Sequence, residues 1–209
     1  TPDDPARAIL QGIADLLGEA RPTDVVHGST VATNAVLERK GARVAMVATR
    51  GFEDVLRIGR QTRRELYNFQ VEDRRPIVEP GRTLGIDERL AFDGAVIQPL
   101  NEAAVNDCVR ALKTLDAEAV AVCLLHSYAN PVHEARIAAR LEAEGFVVSA
   151  SHRVLPEYRE FERWSTTAVN AYVTPLMAKY LGRLEGELGG ARLSIMQSNG
   201  GSISARVAG

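Results

Sequence analysis

The sequence predicts an α/β protein: a mixed, mainly parallel sheet with crossover helices. Three observations lead there. Ala119 to Leu125 is a continuous apolar run, the mark of a strand covered on both faces. Val44 to Ala48 is a second such run. After residue 101, strand-like and helix-like stretches alternate, which builds parallel pairs joined by crossover helices. A hairpin pattern near residues 84–100 makes the sheet mixed or sets aside a small lobe.

The elements follow in order. Asp3-Asp4-Pro5 opens a helix, with acidic residues and proline at its N-terminal side. Ala8, Ile9, Gly12, Ile13, Leu16 and Leu17 recur at three- and four-residue spacing, one apolar face, and Pro22 ends the element. Val25-Val26 reads as a short strand running into a polar loop and then a helix from about Ala35 to Lys40, with Gly41 at its end. After the strand at 43–49, Gly51 turns the chain and Phe52 to Ile58 is a short helix. Residues 60–81 are polar and weakly periodic, a long loop or an excursion from the sheet.

Leu84 to Leu90 and Ala95 to Leu100 form a strand pair around Phe92-Asp93-Gly94. Asn101 caps a helix whose apolar side carries Ala104, Val105, Cys108, Val109 and Leu112. A further helix starts at Pro131, with Ala135, Ile137, Ala138 and Leu141 inward, and 146–151 is the next strand. The stretch 157–188 is helical, with Trp164, Ala168 and Tyr172 on one side and Pro175 expected to kink or split it. Leu193 to Met196 is the last strand.

Composition excludes several function classes. With 45 % hydrophobic and 25 % charged residues, the 209-residue chain is an ordinary globular one with room for a substantial core. A net charge of −2 gives no electrostatic reason to expect nucleic acid or an anionic membrane. Arg60, Arg63, Arg64, Arg74 and Arg75 are the one basic concentration, and acidic residues break it up. No apolar run approaches a membrane span, and Thr-Pro-Asp-Asp-Pro is not a signal peptide. Cys108 and Cys123 belong to no C-x-x-C pair, which suits a reduced, cytoplasmic location.

Two loops carry the functional expectation. Ser29, Thr30, Thr33 and Asn34 follow Gly28 at the end of a strand and beside a helix start. Short hydroxyls and amides there suit an anion or polar ligand, or else cap the helix. Ser198-Asn199-Gly200-Gly201 follows the last strand and precedes a helix; its glycines let backbone N–H groups approach an anion, and Asn-Gly is also an ordinary turn. Arg57 and Arg60 suit a carboxylate or phosphate. Thr166, Thr167 and Asn170 form a polar strip expected to bond between helices. His126, His133 and Glu134 lack metal spacing, so His126 should bond loop backbone and His133 should sit on an exposed helix start. Walker, G-x-G-x-x-G, H-E-x-x-H and G-x-S-x-G motifs are absent.

Residues 27–42, His-Gly-Ser-Thr-Val-Ala-Thr-Asn-Ala-Val-Leu-Glu-Arg-Lys-Gly-Ala, resemble the hydantoinase A / 5-oxoprolinase family, with Ser29 where the family usually has Thr. The resemblance continues through 49–61, through 121–128 with Asn130-Pro131, through 165–172 and through 196–201. It implies part of an actin/hexokinase-like (ribonuclease H-like) ATPase fold. That fold starts on a glycine- and threonine-rich phosphate hairpin, and none precedes Asp3, so residues 1–209 are expected to be the N-terminal domain of a longer chain. The implied activity is ATP-dependent, with Mg²⁺: opening of a cyclic amide of hydantoin or 5-oxoproline type by phosphoryl activation of its carbonyl oxygen. Alternatives are an acetone-carboxylase-like subunit phosphorylating a ketone enolate, and a non-catalytic assembly domain. A second, hydantoinase B-type subunit is the implied partner. On this reading Thr30 and Ser29 are catalytic, and Gly28, Thr33, Asn34, Arg60, Ser198, Asn199, Gly200 and Gly201 bind nucleotide or substrate, with no protein metal site.

Overall fold

The computed structural model describes residues 5–18, 20, 22–62, 67, 69, 75–197 and 200–205. In chain order the elements are α1 (Pro5–Leu17), β1 (Asp24–His27), α2 (Val31–Leu37), β2 (Val44–Thr49), α3 (Val55–Ile58), β3 (Thr83–Ile86), β4 (Arg89–Leu90) and β5 (Val96–Gln98). Then come α4 (Glu102–Thr114), β6 (Ala119–Cys123), α5 (Val132–Ala143), β7 (Val147–Ala150), α6 (Ser151–Val154), α7 (Glu160–Glu187), β8 (Arg192–Met196) and β9 (Ser202–Ser204). The chain divides into two compact units, residues 42–172 and residues 1–41 with 173–209.

The 42–172 unit is built on a sheet of order β3-β2-β6-β7 with every pair parallel. The apolar runs explain its centre: every residue of β2 and of β6 is buried. Val47, Val120, Val122, Leu112, Ile137 and Leu141 share one core that α4 and α5 close. Asn101 caps α4 by accepting the Ala103 N–H at 2.8 Å. The expected strand 84–90 is in fact two: β3 joins the main sheet beside β2, and β4 pairs antiparallel with β5. Leu84 and Leu90 thus belong to different sheets.

The other unit holds a sheet of order β1-β8-β9, parallel between β1 and β8 and antiparallel between β8 and β9. Its core gathers Ala6, Tyr180, Leu181, Leu184, Leu188, Leu193 and Ala205. The face of α1 differs from the expected one. Ala6, Ile9, Leu10 and Ile13 pack inward, whereas Ala8, Leu16 and Leu17 are exposed. The helix after the opening loop starts at Val31, four residues earlier than expected, and Pro175 lies inside α7 without splitting it.

Candidate functional site

The opening loop and the second loop lie at the same end of one sheet. The β1–β8 register pairs His27 with Ile195, so Gly28 and Gln197 leave neighbouring parallel strands in the same direction. Polar ligands of α/β sheets collect beyond such carboxyl ends. Thr30, Thr33 and Asn34 are exposed and Ser29 is half-buried. Thr30 stands at the N-cap position of α2 but makes no side-chain cap bond; its Oγ1 receives Asn34 Nδ2 at 3.5 Å. Ser29 Oγ accepts the Val31 N–H at 3.2 Å. So Ser29 does the local bonding that a cap residue would do, and the Thr30 hydroxyl faces Asn34 instead. With seven residues, α2 is too short for its dipole to carry an anion site unaided.

A residue pair that the sequence did not single out supports this loop. His27 Nε2 lies 2.7 Å from the Tyr180 hydroxyl of α7. Burial lowers the pKa of His27, which favours the neutral imidazole. Burial raises the pKa of Tyr180, and a hydrogen bond from Ser29 works in the opposite direction.

The second loop is the turn of the β8–β9 hairpin, and it leads into a strand rather than the expected helix. Gln197 N–H donates to Gly201 O at 2.7 Å, and Gly200 N–H donates to Gln197 O at 3.0 Å. Gly200 has φ 89°, the left-handed conformation that glycine adopts without a Cβ penalty. Its N–H is therefore committed inside the turn, not free for an anion. Ser198 and Asn199 lie outside the described residues.

The 42–172 unit contains a different polar cluster, also at the carboxyl ends of its strands. Its connections diverge from β2 and β6, so the crevice between those strand ends is the place where a parallel sheet ordinarily binds ligands. Here the crevice is bridged by the chain itself. Leu125 N–H donates to Thr49 Oγ1 at 2.9 Å, and Thr49 donates to Glu88. The other oxygen of Glu88 lies 2.8 Å from His133 Nδ1, and His133 Nε2 accepts the Leu100 N–H at 3.4 Å. The Leu100 N–H can only donate, so His133 Nε2 accepts and the ring proton sits on Nδ1, facing Glu88. Glu134 is fully buried and accepts from Leu124 N, Ser151 Oγ, His152 N and His152 Nδ1 at 2.7–2.9 Å.

These positions correct the sequence reading of His133, which is buried and bonded rather than on an exposed helix start. Among the described residues, no group of three or more His, Cys, Asp and Glu side chains could hold a metal. The polar strip of α7 uses bonds within its own helix and one to a strand residue. Thr166 and Thr167 donate to the carbonyls four residues back, at 2.8 Å each, and Asn170 donates to Ser149 Oγ. Arg60 sits in this unit, in an ion pair with Glu162 at 2.6 Å and over the Phe161 ring.

Comparison with known proteins decides the family. The model of the hydantoinase/oxoprolinase N-terminal region matches residues 1–145, and the hydantoinase/oxoprolinase model matches residues 163–208. The chain belongs to the hydantoinase/oxoprolinase family. Caprolactamase subunit alpha of Pseudomonas jessenii is 35 % identical over 96 % of this family member and 31 % of the relative. The 5-oxoprolinase 1 of Arabidopsis thaliana is 32 % identical over 84 % of the chain and 16 % of its own length. The crystal structure of the ATP-dependent caprolactamase from Pseudomonas jessenii superposes with TM-score 0.82 at 33 % identity, covering 98 % of this chain and 32 % of that one. A nucleotide-free acetone carboxylase superposes with TM-score 0.82 at 28 % identity, covering 99 % of this chain and 33 % of that one. This hydantoinase/oxoprolinase chain thus spans about a third or less of each relative. The fold is mixed α/β with a parallel sheet, and the likeness to these structures agrees with an actin/hexokinase-like (ribonuclease H-like) ATPase fold.

Proposed function

We propose that the chain is the N-terminal domain of an ATP-dependent hydrolase subunit that opens a cyclic amide of hydantoin or 5-oxoproline type. One observation carries the reading: an exposed loop of small hydroxylated residues leaves β1 beside the β8–β9 turn, at one end of one sheet. The relatives include an ATP-dependent caprolactamase and 5-oxoprolinases, which supports the reaction class.

The open space at Gly28, where a Cβ would meet nothing within 4 Å, leaves room for a bulky polyphosphate. ATP supplies a phosphoryl group that makes the amide oxygen a better leaving group. The chain's own part is positioning and charge stabilisation. Thr30 and Thr33 offer hydroxyl donors toward phosphate or carbonyl oxygen, and Asn34 holds Thr30 in place. Ser29 lines the same loop. Mg²⁺ would accompany the phosphate oxygens of ATP. A hydantoinase B-type second subunit is the partner this reading requires; caprolactamase subunit alpha and the acetone carboxylase beta subunit are named as subunits.

A ketone reading has its own support in the acetone carboxylase match. There the phosphoryl group would go to an enolate oxygen. One experiment separates the readings: phosphate release from ATP by the full-length subunit that contains this domain, together with its partner subunit, with hydantoin, 5-oxoproline or acetone as co-substrate. The isolated domain is expected to be inactive. Stimulation by a cyclic amide is expected. Stimulation by acetone alone replaces the hydrolase reading with the carboxylase one. Partner binding without stimulation by any of the three leaves an assembly domain.

A further inference from the structure

We propose that Gln197 is a specificity-determining residue whose carboxamide grips the ring amide of the substrate at two points, accepting the ring N–H and donating to the neighbouring carbonyl oxygen. This rests on the reading that the chain serves ATP-dependent opening of a cyclic amide. It names the residue that tells a ring amide from an open-chain amide or a ketone.

The strands place Gln197. β1 and β8 run parallel with His27 opposite Ile195, so the same register sets Ser29 level with Gln197 as the two chains leave the sheet side by side. Side chains alternate between the two faces of a strand. Leu193 and Ile195 face the core of this unit and Met196 is exposed, so alternation sends Gln197 back to the core-facing side, beyond the point where the core ends. The opening loop folds onto that same side: His27 reaches Tyr180 there, and Val31, the first residue of α2, packs against the same core. Gln197 is exposed. Its backbone is held by the turn: the N–H donates to Gly201 O at 2.7 Å, and the carbonyl accepts Gly200 N–H at 3.0 Å. Both backbone groups serve the hairpin, so what Gln197 offers a ligand is its carboxamide on a fixed Cα.

Chemistry selects the ligand. A carboxamide carries an acceptor oxygen and an N–H donor side by side. A small ring forces its amide to be cis, which sets the ring N–H and the carbonyl oxygen side by side as well. The two edges match donor to acceptor. An open-chain secondary amide is trans, with N–H and C=O pointing in opposite directions, and meets the carboxamide at one point only. A ketone or its enolate has no N–H. The hydroxyls of Ser29, Thr30 and Thr33 are single points and do not make this distinction. The carbonyl oxygen keeps its second lone pair for the phosphoryl group.

The test is ATP turnover by the full-length subunit that contains this domain, with its partner subunit, driven by hydantoin or 5-oxoproline. Gln197→Met keeps the length and removes both polar ends. It should raise KM for the ring amide about ten-fold or more, and leave KM for ATP within about two-fold. The N-methylated ring amide, added as a competitor, should bind about ten-fold more weakly than its parent to the wild type and about equally to Gln197→Met. Gln197→Glu keeps the shape but turns the donor into an acceptor that repels the carbonyl oxygen, so it should match the loss at an unchanged melting temperature. A ring-amide KM unchanged in both variants overturns the assignment and leaves cyclic-amide opening standing. So does a rise in KM for ATP alone, or a preference for the N–H form that survives in Gln197→Met. A lowered melting temperature in both variants makes Gln197 part of the hairpin scaffold and overturns it too. No stimulation of the wild type by either ring amide overturns the reaction class itself, and the role of Gln197 with it.

Discussion

Both units of this chain place polar side chains at the carboxyl ends of parallel strands, and they do opposite things with them. In the 42–172 unit, Thr49, Glu88, His133, Glu134, Ser151 and His152 are bonded to one another and to backbone N–H groups. Five of them are buried and His152 nearly so, and they bridge the crevice in which such a sheet would bind a ligand. In the other unit, Thr30, Thr33 and Asn34 stay exposed. Buried polar groups are stable only when satisfied. Exposed ones at a strand end keep their capacity for a ligand. Strand-end polarity alone therefore does not mark a site; the state of its hydrogen bonds does.

The largest effect that would break this contrast lies at Glu134. Its carboxylate receives four hydrogen bonds and ties the ends of β6 and β7 to α5. Glu134→Ala leaves those donors buried without a partner and should cost about 3–5 kcal/mol, read by urea denaturation. A loss below about 1 kcal/mol would mean that the cluster is not scaffold.

His133→Leu comes next. It removes the acceptor of Leu100 N–H and one donor to the buried Glu88 carboxylate. About 2–3 kcal/mol is expected, from one unsatisfied buried donor and a half-satisfied charge. Ligand binding at the opening loop should persist in whatever fraction stays folded. A specific loss of ligand binding at unchanged stability would move the functional site into this unit.

What was legible in the sequence was what short-range pattern encodes. The unbroken apolar runs of β2 and β6 announced buried central strands, and Asn101 announced its cap. The burial of His133 was not legible, because Glu88 lies 45 residues away and nothing near His133 marks it as paired. Nothing local marks Tyr180 as paired either, since its partner His27 is 153 residues distant. Thr166 and Thr167 looked like a strip awaiting another helix, whereas hydroxyls in a helix can bond to the carbonyl four residues back. On α1 the spacing was read as one face through Ala8, Leu16 and Leu17, whereas the core shared with Leu184 and Leu193 takes the face through Ala6. Of the site, the two loops were visible as local runs of small polar residues, but the direction of Gly200 N–H depended on hairpin pairing with β9.

Thr30→Val sharpens the contrast from the exposed side. It keeps the side-chain shape and removes a hydroxyl that makes no cap bond. Stability should change by less than about 0.5 kcal/mol. If Thr30 meets the transition state, kcat should fall about ten-fold or more, corresponding to ~1.4 kcal/mol. The measurement is ATP turnover by the assembled enzyme beside thermal denaturation. A lowered melting temperature with kcat and KM unchanged would make the loop scaffold, like the cluster in the other unit.

The smallest expected effect concerns Arg60, which was assigned to nucleotide or substrate but is found in an exposed ion pair with Glu162. Exposed pairs contribute little to stability. The hydrogen bond from Arg60 lowers the Glu162 pKa, so the pair's contribution is present above the ordinary glutamate range, near pH 4.3, and is lost as pH falls through the lowered value. Arg60→Ala should therefore leave the melting temperature almost unchanged at pH 7, and the residual difference should vanish in acid or in high salt. If the ion pair is all that Arg60 does, ATP and hydantoin affinities will match the wild type. A weakened affinity at unchanged melting temperature would restore Arg60 as a ligand contact, with Glu162 as the group that holds its guanidinium in place.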